Sequence, residues 1–304
     1  MTEVLTRHMD RKNLYAFLFI SFVLTWLIII PFDFFILRYG ADKYVDTLFL
    51  ISHSLGMLAP GAACIYVKKY IKKESLPKLN FNYKHIWIYI VITLSYAIIW
   101  LSPLVVGYFY GEVNIKTLNL DSMIFIAALL FLGSLGAYGE ELGWRGFLLP
   151  ELRCIGIKKA TILHGFIWGL WHLALPISVI LYAINNINSQ GKPLNDPIIQ
   201  SSVMSMFLIP IGCVLTSIIP AFLQLRYSSL FMVSLWHASH NYFRDVNSLF
   251  FEIKTVGIDA AGNSPALSVV DSMGILISVI SVVIVPIAIF LFCKEFKRVS
   301  LKIE

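Results

Sequence analysis

Long apolar blocks separated by short polar stretches run through the whole chain, at about 13–37, 47–67, 86–109, 121–138, 160–183, 198–223, 229–243 and 272–293. Most reach the ~20 residues that a helix needs to cross a hydrocarbon layer of ~30 Å. Within each block the apolar residues are continuous. The strands of a transmembrane β-barrel would alternate instead, which argues against that architecture. The pattern predicts an all-α fold, a polytopic transmembrane helical bundle of about eight spans. The block 229–243 is shorter and holds polar groups. No internal repeat or low-complexity tract divides the chain, and residues 1–304 read as a single integral membrane domain. The first block is too long for a signal-peptide core and has no small-residue cleavage site, which predicts that it is retained as a span.

Composition agrees. Of 304 residues, 58% are hydrophobic and 14% are charged, against about 25% charged in an ordinary soluble domain. The net charge of +6 and pI near 9.0 do not point to nucleic acid, because Lys and Arg cluster between the apolar blocks, where they set topology. With eight spans, 18 of the 24 Lys and Arg residues fall on the side of the N-terminus, which predicts that both N and C termini are cytoplasmic. The tract KKYIKKESLPK (68–78) then reads as a cytoplasmic loop beside anionic lipid. The polar stretches 184–197 and 244–270 read as extracytoplasmic connections. Cys64, Cys154, Cys213 and Cys293 show no paired spacing and are expected as free thiols.

Against this background the stretch GEELGWRGF (139–147) stands out, with two adjacent carboxylates and a guanidinium directly after an apolar segment. On a helix, Gly133, Gly136, Ala137 and Glu140 share one face. Small residues admit close helix approach, so Glu140 is expected to face a neighbouring helix. Glu141 is rotated about 100° from it and precedes Arg145 at i, i+4, the favourable order for an ion pair. The spacing predicts that Arg145 holds Glu141 and that Glu140 is left for a donor or titratable group elsewhere. Candidates follow in two more blocks. In HGFIWGLWHLALP, Gly165, Gly169 and His172 share a face. In SLWHASHNYF, His237 and Asn241 are one helical turn apart. Ionisable groups inside a membrane are costly and mark functional cavities. His240 points to a different face. His53 also lies within a span, but no second polar partner stands at helical spacing. His8, His85 and His164 read as surface or interface residues. Trp144, Trp168, Trp171 and Trp236 read as aromatic packing or interfacial anchors.

A carboxylate beside an imidazole activates water as a general base. A second imidazole and an amide donate to a developing oxyanion. Together they describe a site that hydrolyses an amide bond. The chain has neither GxSxG nor HExxH, which argues against serine and ordinary zinc hydrolases. Two His with one or two Glu would still suffice to ligate zinc. A transporter using the same groups as a proton relay is disfavoured, since no paired broken helices appear in matching halves.

The three motifs, EELGWR (140–145), WGLWH (168–172) and HASHN (237–241), resemble those of the CPBP intramembrane proteases. That family includes type II CAAX prenyl endopeptidases and bacteriocin-processing or self-immunity proteins. Its pattern is EExxxR, then an aromatic four residues before a His, then HxxxN or HxxxD. The usual Phe of the second motif is Trp168 here. The resemblance covers about residues 120–245, a catalytic core in that family, and leaves 1–110 without a signature. It implies an intramembrane glutamic endopeptidase, with Glu140 and His172 activating water and His237 and Asn241 stabilising the oxyanion. Glu141 and Arg145 would support them. It also implies no cofactor, zinc on the Glu and His residues being the alternative, and a site opening toward the cytoplasm. The partners would be the lipid bilayer and a peptide or protein substrate, prenylated or not, and the location the cell membrane of a prokaryote. The same family allows a non-catalytic member acting in bacteriocin self-immunity or as a scaffold.

Overall fold

The computed structural model describes residues 10–39, 45–190, 197–253, 276 and 279–292, and these are overwhelmingly helical. The first helices are α1 (Arg11–Tyr39), α2 (Val45–Ile65), α3 (Ile86–Phe109), α4 (Leu120–Gly143) and the short α5 (Leu149–Leu152). They are followed by α6 (Ile157–Trp171), α7 (Ala174–Gln190), α8 (Pro197–Thr216), α9 (Ile218–Tyr227) and α10 (Leu230–Phe250), with a last described helix at Val285–Phe292. A helix stands at the position of every apolar block. Among the described residues, six are long and apolar enough to cross a membrane. They make this a polytopic helical membrane protein. The expected seventh span, α10, has the length but is too polar to be one of the six, and much of the expected eighth lies outside the described residues. The stretch 184–197 is helical at both of its ends. The stretch 244–270 begins as helix, and its remainder beyond Ile253 lies outside the described residues, as does Cys293. Cys64, Cys154 and Cys213 are free.

Among the described residues, strands form at one place. Val113–Ile115 (β1) pairs antiparallel with Phe251–Ile253 (β2), closing the ends of α3 and α10 into a two-stranded ribbon. The ribbon buries Val113 in a small cluster with Leu104 and Phe251. Three-residue strands are too short for periodicity to reveal.

Two of the expected spans are broken helices. Block 160–183 is split into α6 and α7 at His172, and block 198–223 is split into α8 and α9 at Ser217. The cause is the same in both. Pro176 and Pro220 each sit in the first turn of the following helix, where a missing N–H cannot reach the carbonyl four residues back. The breaks therefore fall beside His172 and Ser217.

The bundle is polar inside along α1. Its buried residues include Asn13, Phe17, Ser21, Thr25, Ile29 and Asp33, which succeed one another at i, i+4. Large apolar side chains such as Phe19, Trp87, Phe109 and Phe131 face outward. Lipid tails are as apolar as Leu, so what favours the interior is close packing and hydrogen bonding rather than hydrophobicity. Close packing is marked where α2 meets α4. A Cβ on Gly139 would sit 2.9 Å from Leu58 Cα, and one on Gly61 would sit 2.8 Å from the Gly139 carbonyl oxygen. On the other side of the site, a Cβ on Gly169 would come within 2.4 Å of Pro210 Cα in α8. The glycine face of α6 thus packs on α8, and the glycines of α4 pack on α2.

Gly139→Val should lower the thermal midpoint of the protein in detergent, by a destabilisation on the order of 1–3 kcal/mol. Gly212→Ala should leave it unchanged, because a Cβ there would meet nothing within 4 Å.

Candidate active site

The stretch GEELGWRGF closes α4 and runs straight into a π-helical turn, Trp144–Leu148, before α5. Such single turns recur at functional positions in helices. The end of α4 and the turn together place four buried side chains, Glu140, Glu141, Trp144 and Arg145, none more than 1% exposed to solvent.

The expected division of labour between the glutamates is present. Arg145 Nη1 donates to Glu141 Oε1 at 2.8 Å. The same oxygen accepts from His237 Nδ1, also at 2.8 Å. Glu141 therefore ties α4 to α10 as well as to Arg145, a link its spacing did not foretell. Glu140 turns to other partners. Its Oε2 accepts from the indole N–H of Trp168 at 2.9 Å and from that of Trp144 at 3.3 Å. Neither imidazole hydrogen-bonds this carboxylate among the described residues. His237 is taken by Glu141. His172 donates Nδ1–H to the Trp168 carbonyl at 2.9 Å, with Cys213 Sγ 3.8 Å from the same nitrogen. That bond sets the tautomer and leaves the lone pair of the neutral ring on Nε2. His172 nevertheless lies within electrostatic reach of both Glu140 and His237.

Trp168 is the hub. Its N–H holds Glu140, and the Arg145 guanidinium lies 4.5 Å from its ring centroid. The rings of His172 and His237 pack edge-on against it at 5.3 and 6.0 Å. Reading Trp168 and Trp144 as packing aromatics captured their burial and missed their N–H donors. The signal was available, since a buried indole nearly always finds an acceptor. His164, expected at a surface or interface, is fully buried beside Trp144 and Trp168. His240 does point to another face, between Tyr96 and Trp100 of α3.

Asn241 lies one turn beyond His237 and lines a cavity of about 440 Å³ with Met57, Gly133, Ala238 and Arg244, among others. Asn241 and His172 are half-buried, whereas Glu140, Glu141, Arg145 and His237 are sealed. Among the described residues, no three His, Cys, Asp or Glu side chains converge as a metal-ligand set.

The same end of the bundle carries much of the basic tract. Lys72 Nζ bonds Glu151 Oε1 at 2.6 Å, and Lys68 Nζ bonds Glu74 at 3.1 Å. Part of the charge read as lipid-facing thus braces α5, which follows the π turn.

The fold and these residues define a helical membrane protein with a buried Glu–Trp–His centre and a second Glu–Arg–His triad beside it. Comparison with known proteins shows what this segment is similar to. Residues 121–243 match the family model for type II CAAX prenyl endopeptidase Rce1-like proteins, in line with the resemblance that the three motifs carried. The chain is also 32% identical over 152 residues to the CAAX prenyl protease 2 of Methanococcus maripaludis, an alignment covering 48% of this chain and 53% of the relative. The chain thus spans about half the length of the curated relative it matches.

Removing one member of a buried ion pair strands the other, at a cost of about 3–5 kcal/mol. Arg145→Met should therefore lower the melting temperature and the recovery of folded protein sharply. The double variant Arg145→Met/Glu141→Gln should regain part of the loss in the same melting assay.

Proposed function

We propose that this chain is an intramembrane endopeptidase of the glutamic type, which hydrolyses a peptide bond at the cytoplasmic side of a prokaryotic cell membrane. The observation that carries the reading is the ionisable pair Glu140 and His172 gathered on Trp168 inside an apolar bundle, next to His237. An arrangement so costly in a membrane is kept for a function. The family match of residues 121–243 supports the same reading.

In this mechanism Glu140, with His172 beside it, accepts a proton from water as the oxygen bonds to the scissile carbonyl carbon. The two indole donors hold one carboxylate oxygen and leave the other to the water. The carbonyl oxygen becomes an oxyanion. His237, whose Nδ1–H is committed to Glu141, stabilises it through Nε2–H, a role that uses the ring with both nitrogens protonated. The Asn241 amide is the second donor. The proton held by Glu140 and His172 then passes to the amide nitrogen, the C–N bond breaks, and a carboxylate and an amine leave. Every step uses side chains of this chain, and no metal enters it. The substrate proposed is a membrane-bound peptide or protein, and the name of the archaeal relative makes a prenylated CAAX peptide the first probe.

In proteoliposomes supplied with such a peptide, Glu140→Gln should lower kcat by at least about 10²-fold, the scale of general-base catalysis. Retention of full cleavage would remove Glu140 from the mechanism. Cleavage by the unaltered protein should survive a strong chelator. Loss on chelation with recovery on zinc would replace this mechanism with a metal-dependent one. If the altered and unaltered proteins are equally inert toward the peptide yet confer the same resistance to a bacteriocin, the non-catalytic reading replaces both.

Trp168→Phe keeps the ring and removes one hydrogen bond to a charged group, worth about 1.5–3 kcal/mol. Steady-state kinetics should show kcat down by roughly 10-fold or more, with KM little changed.

A further inference from the structure

A second buried polar cluster lies away from the glutamates, on helices for which the motifs are silent. Asp33 of α1 is 2% exposed. Its Oδ1 accepts from Ser52 Oγ at 2.9 Å, and its Oδ2 is 3.0 Å from His53 Nε2 and 3.3 Å from Ser178 Oγ. Three helices, α1, α2 and α7, converge on one carboxylate. His53 had no polar neighbour along its own helix, because its partner comes from α1.

Two features separate this cluster from a purely structural knot. The His53 side chain is 40% exposed, and the space it faces is the 440 Å³ cavity whose other wall carries Asn241. The Asp33 carboxylate is an acceptor, so Nε2 of His53 is the protonated nitrogen, and the lone pair of the neutral ring is on Nδ1. Nδ1 makes no hydrogen bond among the described residues. Arg244, the cation in the cavity wall, is already bidentate to Asp245. The cavity therefore offers an oriented acceptor rather than a free positive charge.

The position has a length attached. Met57 lies one turn after His53 and packs on Gly136, which is one turn before Glu140. His53 is thus about two turns, or ~11 Å, from the level of Glu140. An extended peptide covers that distance in about three residues.

We propose that His53, oriented by Asp33, is a substrate-positioning residue that accepts a hydrogen bond from a backbone N–H of the bound peptide, about three residues from the bond to be cut. This rests on the peptidase reading and names a contact within it.

The test is binding, so that it does not depend on turnover. A fluorescent prenylated CAAX peptide is titrated against the Glu140→Gln protein in nanodiscs. In that background His53→Phe should raise Kd about 5- to 10-fold, and His53→Gln, which keeps an acceptor at similar reach, should stay within about 2-fold, as one neutral hydrogen bond implies. In a series of probes each N-methylated at one amide, one should weaken binding to the His53-containing protein and make no difference to His53→Phe. An unchanged Kd for His53→Phe, or a series in which no amide behaves this way, overturns the proposal and leaves the peptidase reading intact. No saturable binding to the His53-containing protein overturns both. Equal loss in His53→Phe and His53→Gln assigns the ring a packing role and overturns the proposal as well.

Discussion

Two adjacent carboxylates in an apolar bundle have to be satisfied without bulk water, and the arrangement around Trp168 follows from that constraint. An unpaired charge in such a place is expensive. Glu141 is answered by a guanidinium and an imidazole, each at 2.8 Å. Among the described residues Glu140 is answered by neutral indoles, at 2.9 and 3.3 Å. The first is ion-paired. The second is held by dipoles and has no direct ion pair among the described residues. One side chain, Trp168, couples both halves, because its N–H serves Glu140 while its face serves Arg145.

The backbone is bent to make this possible. Proline at the start of α7 breaks the span at His172, and the carbonyl of Trp168 takes the ring Nδ1–H of His172 near that break. The π turn after Gly143 keeps Arg145 on its glutamate while the chain continues into α5. Glycines bring α2 onto α4 and α8 onto α6 at distances no side chain would allow. These are sites of local irregularity, and in a membrane irregular backbone is tolerated where protein surrounds it.

The N-terminal helices, silent in motif terms, hold the site from behind. Trp171 N–H donates to Thr25 Oγ1 at 2.8 Å, Thr25 donates to the Gly56 carbonyl at 3.0 Å, and Trp26 N–H donates to the Trp171 carbonyl at 3.1 Å. The α1 stripe that contains Thr25 also contains Asp33. The same inward face therefore supports the helix of His172 and supplies the carboxylate that orients His53.

What the chain's order of residues determined by itself was the membrane class, the helical blocks and the Glu141–Arg145 pair, and it named Glu140, His172, His237 and Asn241 as candidates. These follow from composition and from spacing within a single helix, which are local properties. Only the tertiary structure decided that Glu140 would meet Trp168, that Glu141 would also hold His237, 96 positions away, and that His53 would find Asp33. Each joins side chains on different helices, and no periodicity along one helix encodes which face of another will lie against it. Within the bundle that choice is made by glycine contacts and proline breaks acting together, and it exists only once the helices have packed.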